Sequence, residues 1–146
     1  MSTPQIEARC YTFDMQKMIP VKTNEKTQIL DITQDVENAI AESKINEGTV
    51  CIFARHTTCA LIISEVEDNL EEDLINYFEK EGPKGAFSHT HGGQSHTPSH
   101  ILSATIGQSL TVPVKGSRML LGTWQRLCLL EFDGPREREI VIQTQG

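Results

Sequence analysis

Residues 109–145 read SLTVPVKGSRMLLGTWQRLCLLEFDGPREREIVIQTQ. Three β-forming runs lie in this stretch, parted by turn chemistry. Ser109–Val114 is a strand, and Pro113 places it near an edge or a strand end, because proline lacks the N–H that a ladder needs. Lys115-Gly116-Ser117-Arg118 is a turn. Gly122–Phe132 predicts a long core strand, Asp133-Gly134-Pro135 a second turn, and Glu139–Gln145 a final strand. Short turns between strands predict a β-meander for the back half of the chain.

Upstream, the periodicity alternates between strand and helix. Ile6–Phe13 holds β-formers and predicts an opening strand, followed by a polar stretch rich in Lys and Thr. Asp31 or Thr33 can cap a helix, whose face is Ile32, Val36, Ala39, Ile40 and Ser43, with Asn46 and Gly48 as the stop. Thr49–His56 predicts a strand that puts Val50, Ile52, Ala54 and His56 on one face, by the period of two. Ala60–Ile63 is a second short strand. Ser64-Glu65-Val66-Glu67 has capping-box spacing, and Leu70, Leu74, Tyr77 and Phe78 form a stripe that predicts a helix over 66–80. Residues 81–98 are the one long irregular stretch. Thr97 and Pro98 then suit the cap and first position of a short helix that ends at Gly107.

With 146 residues the chain fits one domain. It is 38% hydrophobic and 23% charged, which excludes a disordered or fibrous chain. No apolar run is long enough to span a membrane, and Met1–Phe13 lacks the pattern of a secretory leader. Both points predict a cytoplasmic protein without a membrane partner. Of the four cysteines, Cys10, Cys51 and Cys128 sit in apolar stretches and read as core residues. Cys59 lies close to His56. The net charge of −7 argues against a general nucleic-acid binder. The charge is unevenly spread. Eight acidic residues fall between Glu65 and Glu81, whereas Gly82–Leu130 has none. That second stretch carries Lys84, Lys115, Arg118, Arg126 and four of the five histidines, a composition suited to an anion or metal site.

His89, His91, His96 and His100 fall within twelve residues. Imidazole suits zinc and other late divalent ions, and such sites take two or three. The spacing matches no standard zinc pattern, so a polar loop with only His100 structural is the competing reading. His56, at the end of its strand, can join from elsewhere in the fold. Trp124-Gln125 within an apolar strand is unusual: a buried Gln needs partners, so it either ties the strand to a loop or holds a ligand.

Two runs carry a resemblance. ARHTTCALIISEVEDN (54–69) resembles an HTS…NExxD segment, and residues 96–146 resemble a C-terminal half with G-x-S-L-T-V-P-V, G-T-W-Q and E-F-D-G-P-R in that order. Together these runs are specific, and over residues 5–146 the chain resembles the YjbQ-type family, known as secondary thiamine-phosphate synthase enzymes. The resemblance implies an α+β fold, a mostly antiparallel sandwich-like sheet with two main helices and a short one. It also implies a homotrimer with its site near the subunit interface. It implies a reaction that joins a pyrimidine pyrophosphate to a thiazole phosphate and releases pyrophosphate, with a divalent ion, zinc or magnesium, as cofactor. On the matching positions His56, Glu65 and Gln125 would be catalytic. His89 and His100, also at matching positions, would hold the metal, joined by His96, which is this sequence's own addition. Thr57, Arg118, Trp124 and Arg136 would bind the phosphorylated small molecule. The chain departs from the pattern between His89 and His100, where acids and amides are usual and imidazoles stand here, and at Ser64, where Asn is common. More imidazole and less carboxylate favour a softer ion than magnesium, or a bare anion. The alternative function is a trimeric metal- or anion-binding protein without turnover.

Overall fold

In the computed structural model, which describes residues 15–89, 91 and 96–146, alternation of side chains sorts the strands into two sheets. The first contains β1 (Met15–Lys22), β3 (Glu47–Ala54), β5 (Ser109–Lys115), β6 (Arg118–Met119) and β8 (Glu137–Gln145), in the order β1-β8-β3-β5-β6. The second contains β2 (Gln28–Asp31), β4 (Cys59–Ser64) and β7 (Arg126–Glu131), in the order β2-β7-β4. Every strand pair is antiparallel. The described residues also form three helices: α1 (Thr33–Ser43), α2 (Asp68–Lys80) and α3 (Thr97–Ile106). The α+β fold with an antiparallel sandwich is the one expected.

Two apolar layers hold it together. Val50, Ile52, Val112, Val114, Ile140 and Ile142 project from the larger sheet onto Leu127 and Leu129 of β7 and Ile32, Val36, Ala39 and Ile40 at α1. The other face of the smaller sheet, with Ile29, Ala60, Cys128 and Leu130, packs on Leu74, Ile75 and Phe78 of α2 and Leu102 and Ile106 of α3. The smaller sheet is thus covered on both faces, which is why RLCLLE is apolar without alternation. Each such Leu or Ile contributes about 1.5–3 kcal/mol by leaving water.

Several boundaries differ from those expected. The 6–13 strand and Cys10 lie outside the described residues. The stretch read as merely polar contains β1 and β2. No side chain caps α1 at Ile32; Asp31 Oδ1 accepts from the Thr33 N–H at 2.9 Å instead. The helix ends at Lys44, which adopts a left-handed conformation, before Asn46 and Gly48 are reached. Gly48 is a strand residue with φ 152°, where a Cβ would lie 2.0 Å from the Gln145 carbonyl oxygen. Ser64 is the last residue of β4 and does not cap α2. Glu67 does, its carboxylate accepting from the Leu70 N–H at 2.9 Å. Tyr77, placed on the buried stripe by spacing, is 59% exposed. Thr97 is inside α3, with His96 as the residue before it and Pro98 in its first turn. β7 begins only at Arg126, so Trp124 and Gln125 belong to a turn rather than a core strand. No helix among the described residues is long and apolar enough to cross a membrane.

Candidate functional site

His56, Thr57 and Thr58 form the link that carries the chain from β3 in one sheet to β4 in the other. α3 packs across this link, and two serines fix its height. Ser103 Oγ donates to the Cys59 carbonyl, and Ser99 Oγ donates to the Phe132 carbonyl at 2.8 Å. The helix therefore presents His100 to the β3–β4 link. A cavity of about 370 Å³ opens there. Thr57, Thr58, His56, His91, His96 and His100 form part of its wall, and Arg55, Arg136 and Arg138 complete it. Among the described residues the wall itself carries no carboxylate, although Asp133 stands directly behind His96 and Arg136.

The imidazoles have different hydrogen-bonding states. His56 Nε2 accepts from the Glu139 backbone N–H at 2.8 Å, so that nitrogen is consumed by the fold and Nδ1 carries the proton. Burial, followed by the Arg138 charge, holds its pKa below the ordinary 6.5. His100 is arranged the other way. Its Nδ1 lies 3.0 Å from the Thr57 carbonyl oxygen, which can only accept, so Nδ1 donates. Its Nε2 then has a lone pair, buried and without a partner among the described residues. Burial, then the neighbouring His96, keeps this ring below 6.5 and hence neutral at pH 7. The Thr97 hydroxyl, three residues earlier on the same helical face, is likewise buried and unpartnered.

His96 Nδ1 is 3.0 Å from Asp133 Oδ2. A carboxylate accepts, so this imidazole too has its Nδ1 engaged as a donor. The His96 and His100 rings are edge-to-face with centroids 4.4 Å apart, and the exposed His89 ring is 5.0 Å from that of His100. His91 is 6.3 Å from His89. Among the described residues no three His, Cys, Asp or Glu side chains converge as a formed metal cage. The donor chemistry and the orphaned His100 Nε2 fit a late divalent ion better than magnesium, which takes oxygen ligands.

Two buried charges support the cavity from below. Glu131 and Arg138 are 0% and 3% exposed. Arg138 Nε donates to Glu131 at 2.7 Å, and its Nη2 donates to Thr58 Oγ1 at 2.8 Å. Thr23 Oγ1 donates to the same carboxylate at 3.0 Å, and the Asp133 N–H does so at 2.8 Å. Asp133 begins a turn pressed against the β1–β2 link, where a Cβ on Gly134 would lie 2.1 Å from the Glu25 carbonyl oxygen. Asp133 Oδ2 also accepts from Arg136 Nη2 at 2.6 Å. Burial alone would raise the Asp133 pKa, but the Arg136 and His96 hydrogen bonds hold it below the usual carboxylate value.

The remaining candidates stand elsewhere. Glu65 follows the end of β4, and Trp124 and Gln125 precede β7. The β4–β7 ladder pairs Ser64 with Arg126 at that end and Cys59 with Glu131 at the histidine end. Five residues of strand part the two ends, roughly 17 Å. Trp124 is 71% exposed, and Gln125 is exposed with its Oε1 accepting from the Gly122 N–H at 2.8 Å. Arg118 lines a separate hollow against α1 with Glu37 and Asn38. The reading of Gln125 as a buried amide in need of partners is therefore corrected. Cys59 is buried, and burial pushes its thiol up to about 11, which leaves it without nucleophilic character near neutral pH. Sequence reasoning missed Arg55, Thr58 and the Glu131–Arg138 pair. Their signal was period two: Arg138 shares the inward face of β8 with Ile140, Ile142 and Thr144, and an inward arginine requires a buried anion.

Comparison with known proteins places this geometry among relatives. A family model described as UPF0047 protein YjbQ-like matches residues 17–146. A UPF0047 protein of Archaeoglobus fulgidus is 38% identical over 126 residues, 86% of this chain and 98% of that one. The UPF0047 protein YugU of Bacillus subtilis is 35% identical, over 90% of this chain and all of its own. Among solved structures, a YbjQ-like protein of unknown function from Sulfolobus solfataricus superposes with a TM-score of 0.86 at 30% identity, covering 93% of this chain and 99% of that one.

Proposed function

Because the chain belongs to the UPF0047 YjbQ-like family, a family matched here without an activity, we propose a function from the cavity itself: binding a late divalent metal ion together with a small phosphorylated molecule. The observation that carries this reading is the buried Nε2 of His100, which has no partner among the described residues. Its ring is neutral and aimed by the Thr57 carbonyl, and the rings of His96 and His89 stand beside it. A metal-binding histidine normally has its other nitrogen engaged by a carbonyl or carboxylate. His100 has the first kind of partner and His96 the second. The ion would be held by His96, His100 and the exposed His89, with zinc favoured over magnesium. Arg136, whose side chain is half exposed, and the Thr57 and Thr58 hydroxyls would take the phosphate. The bound ion would supply Lewis acidity. The chain's own groups orient the ligand and neutralise its charge.

A second reading follows from the same cationic wall. In a thiamine-phosphate synthase reaction a thiazole nitrogen forms a bond to the pyrimidine methylene carbon, and the carbon–oxygen bond to pyrophosphate breaks. Arg55 and Arg136, each about half exposed and paired with Glu139 and Asp133, are the groups that would turn to the departing pyrophosphate, while buried Arg138 stays with Glu131. The homotrimer belonging to this reading is supported by exposed apolar side chains. Met18 and Phe53 flank Val141 across the uncovered face of the larger sheet.

The deciding experiment is elemental analysis and zinc titration of protein purified without a histidine tag. About one zinc per chain is expected, lost in His100→Ala and kept in His56→Gln. Zinc content unchanged in His100→Ala would overturn the metal reading. For the transfer reading, thiamine phosphate formed by the wild type and absent in His100→Ala is expected. No product from the wild type would leave binding without turnover as the function.

A further inference from the structure

The metal side and the phosphate side of the cavity meet on one oxygen atom. Asp133 Oδ2 receives His96 Nδ1 at 3.0 Å and Arg136 Nη2 at 2.6 Å, and Arg136 Nε lies 3.2 Å from it as well. The Asp133 side chain is 20% exposed, so this competition takes place partly shielded from water. The main chain that carries the carboxylate is fixed on both sides. Its backbone N–H is held by buried Glu131 at 2.8 Å, and its backbone carbonyl accepts from Arg136 Nε at 2.9 Å.

We propose that Asp133 is a positioning residue that couples metal binding at His96 to phosphate binding at Arg136, by sharing one carboxylate oxygen between them. The proposal rests on the metal-and-phosphate reading above. The physical basis is competition between two donors for one acceptor. An ion on His96 withdraws electron density from the ring, which makes Nδ1–H a stronger donor toward Oδ2. Asp133 then holds Arg136 less tightly, and the guanidinium is released to a phosphate. In the other direction, a phosphate that draws Arg136 away leaves the whole carboxylate charge to His96. That makes the imidazole a more electron-rich ligand. Each event favours the other, and linkage requires the two effects to be equal in size. Arg136 is suited to the moving part: its side chain is 50% exposed, against 15% for His96.

This sharing predicts something that a purely structural Asp133 would not. Removing Arg136 leaves Asp133 to His96 alone, so Arg136→Met should bind zinc more tightly than the wild type, although the substitution deletes a salt bridge. The measurement is zinc affinity by competition with a chromogenic chelator, with and without phenyl phosphate as a non-chelating monoester. In the wild type, saturating phenyl phosphate should tighten zinc by about five-fold or more, the lower end of ordinary coupling. Arg136→Met should show tighter zinc without phenyl phosphate and no response to it. Asp133→Asn should weaken zinc and reduce the phosphate response towards none. Zinc binding that is lost in His100→Ala but unchanged or weakened in Arg136→Met would overturn the coupling and leave the metal reading standing. So would a phosphate response that persists in Asp133→Asn, because direct metal–phosphate contact would then account for it. Absence of zinc binding in the wild type would overturn the metal reading, and the coupling with it.

Discussion

His56 and His100 line the same cavity, yet the fold takes a different nitrogen from each. The Glu139 N–H occupies Nε2 of His56, whereas the Thr57 carbonyl occupies Nδ1 of His100. One histidine is a brace between β8 and the β3–β4 link, and the other offers a lone pair. No reading of types and spacing separates these roles, since tautomers are set by partners more than eighty positions away for His56. What the sequence made legible was the set of imidazoles and their neighbours Thr57 and Arg136. Asp133 was harder to see as a partner of His96, because it lies just beyond the acid-free stretch. The two lowered pKa values have a consequence for stability. The folded state prefers both rings neutral, so the unfolded chain takes up protons first as pH falls through about 6.5. Stability should be level above that pH and decline below it. Thermal midpoints from pH 7.5 to 5.5 should show this, with a shallower decline in His56→Gln. A wild-type midpoint that rises on acidification would contradict the assignment.

The helices and inner strands were legible because their periods are plain, and the misreadings have identifiable causes. β1 was hidden because its inward positions are Met15, Lys17, Ile19 and Val21, while Met18 points outward. Lys17 reaches Glu42 at 2.6 Å, so a charged residue occupies what the period reserves for an apolar one. The start of β7 was overextended because Trp124 reads as apolar core although it is an exposed turn residue. At α2, two candidate caps fit the same four residues, and the geometry selects the later one. Glu67 accepts from the Leu70 N–H, which lowers its pKa and makes it the true cap. Glu67→Ala should therefore lower helical circular dichroism and the thermal midpoint, whereas Ser64→Ala should leave both unchanged. Equal effects from the two substitutions would refute the assignment.

Across the whole molecule, the Glu131–Arg138 pair joins the two sheets and supports the β3–β4 link above it. Its charges are fully desolvated, so loss of either partner strands the other. Glu131→Gln and Arg138→Met should each cost about 3–5 kcal/mol in urea denaturation, and the double variant should cost less than the sum of the two. Additive effects would show that the two side chains act independently. The strand carrying Arg138 has a further consequence, one that concerns timing. β8 lies between β1 and β3 in the larger sheet, and among the strands of the described residues it is the last to be synthesised. Among the described residues β1 pairs with β8 alone, so residues 15–22 leave the ribosome more than a hundred positions ahead of that ladder partner. Until then the edge of β3 that β8 will pair with is open, and β1 cannot join the sheet. The larger sheet is thus closed by a late, long-range pairing, the kind of contact whose loop-closure cost slows folding.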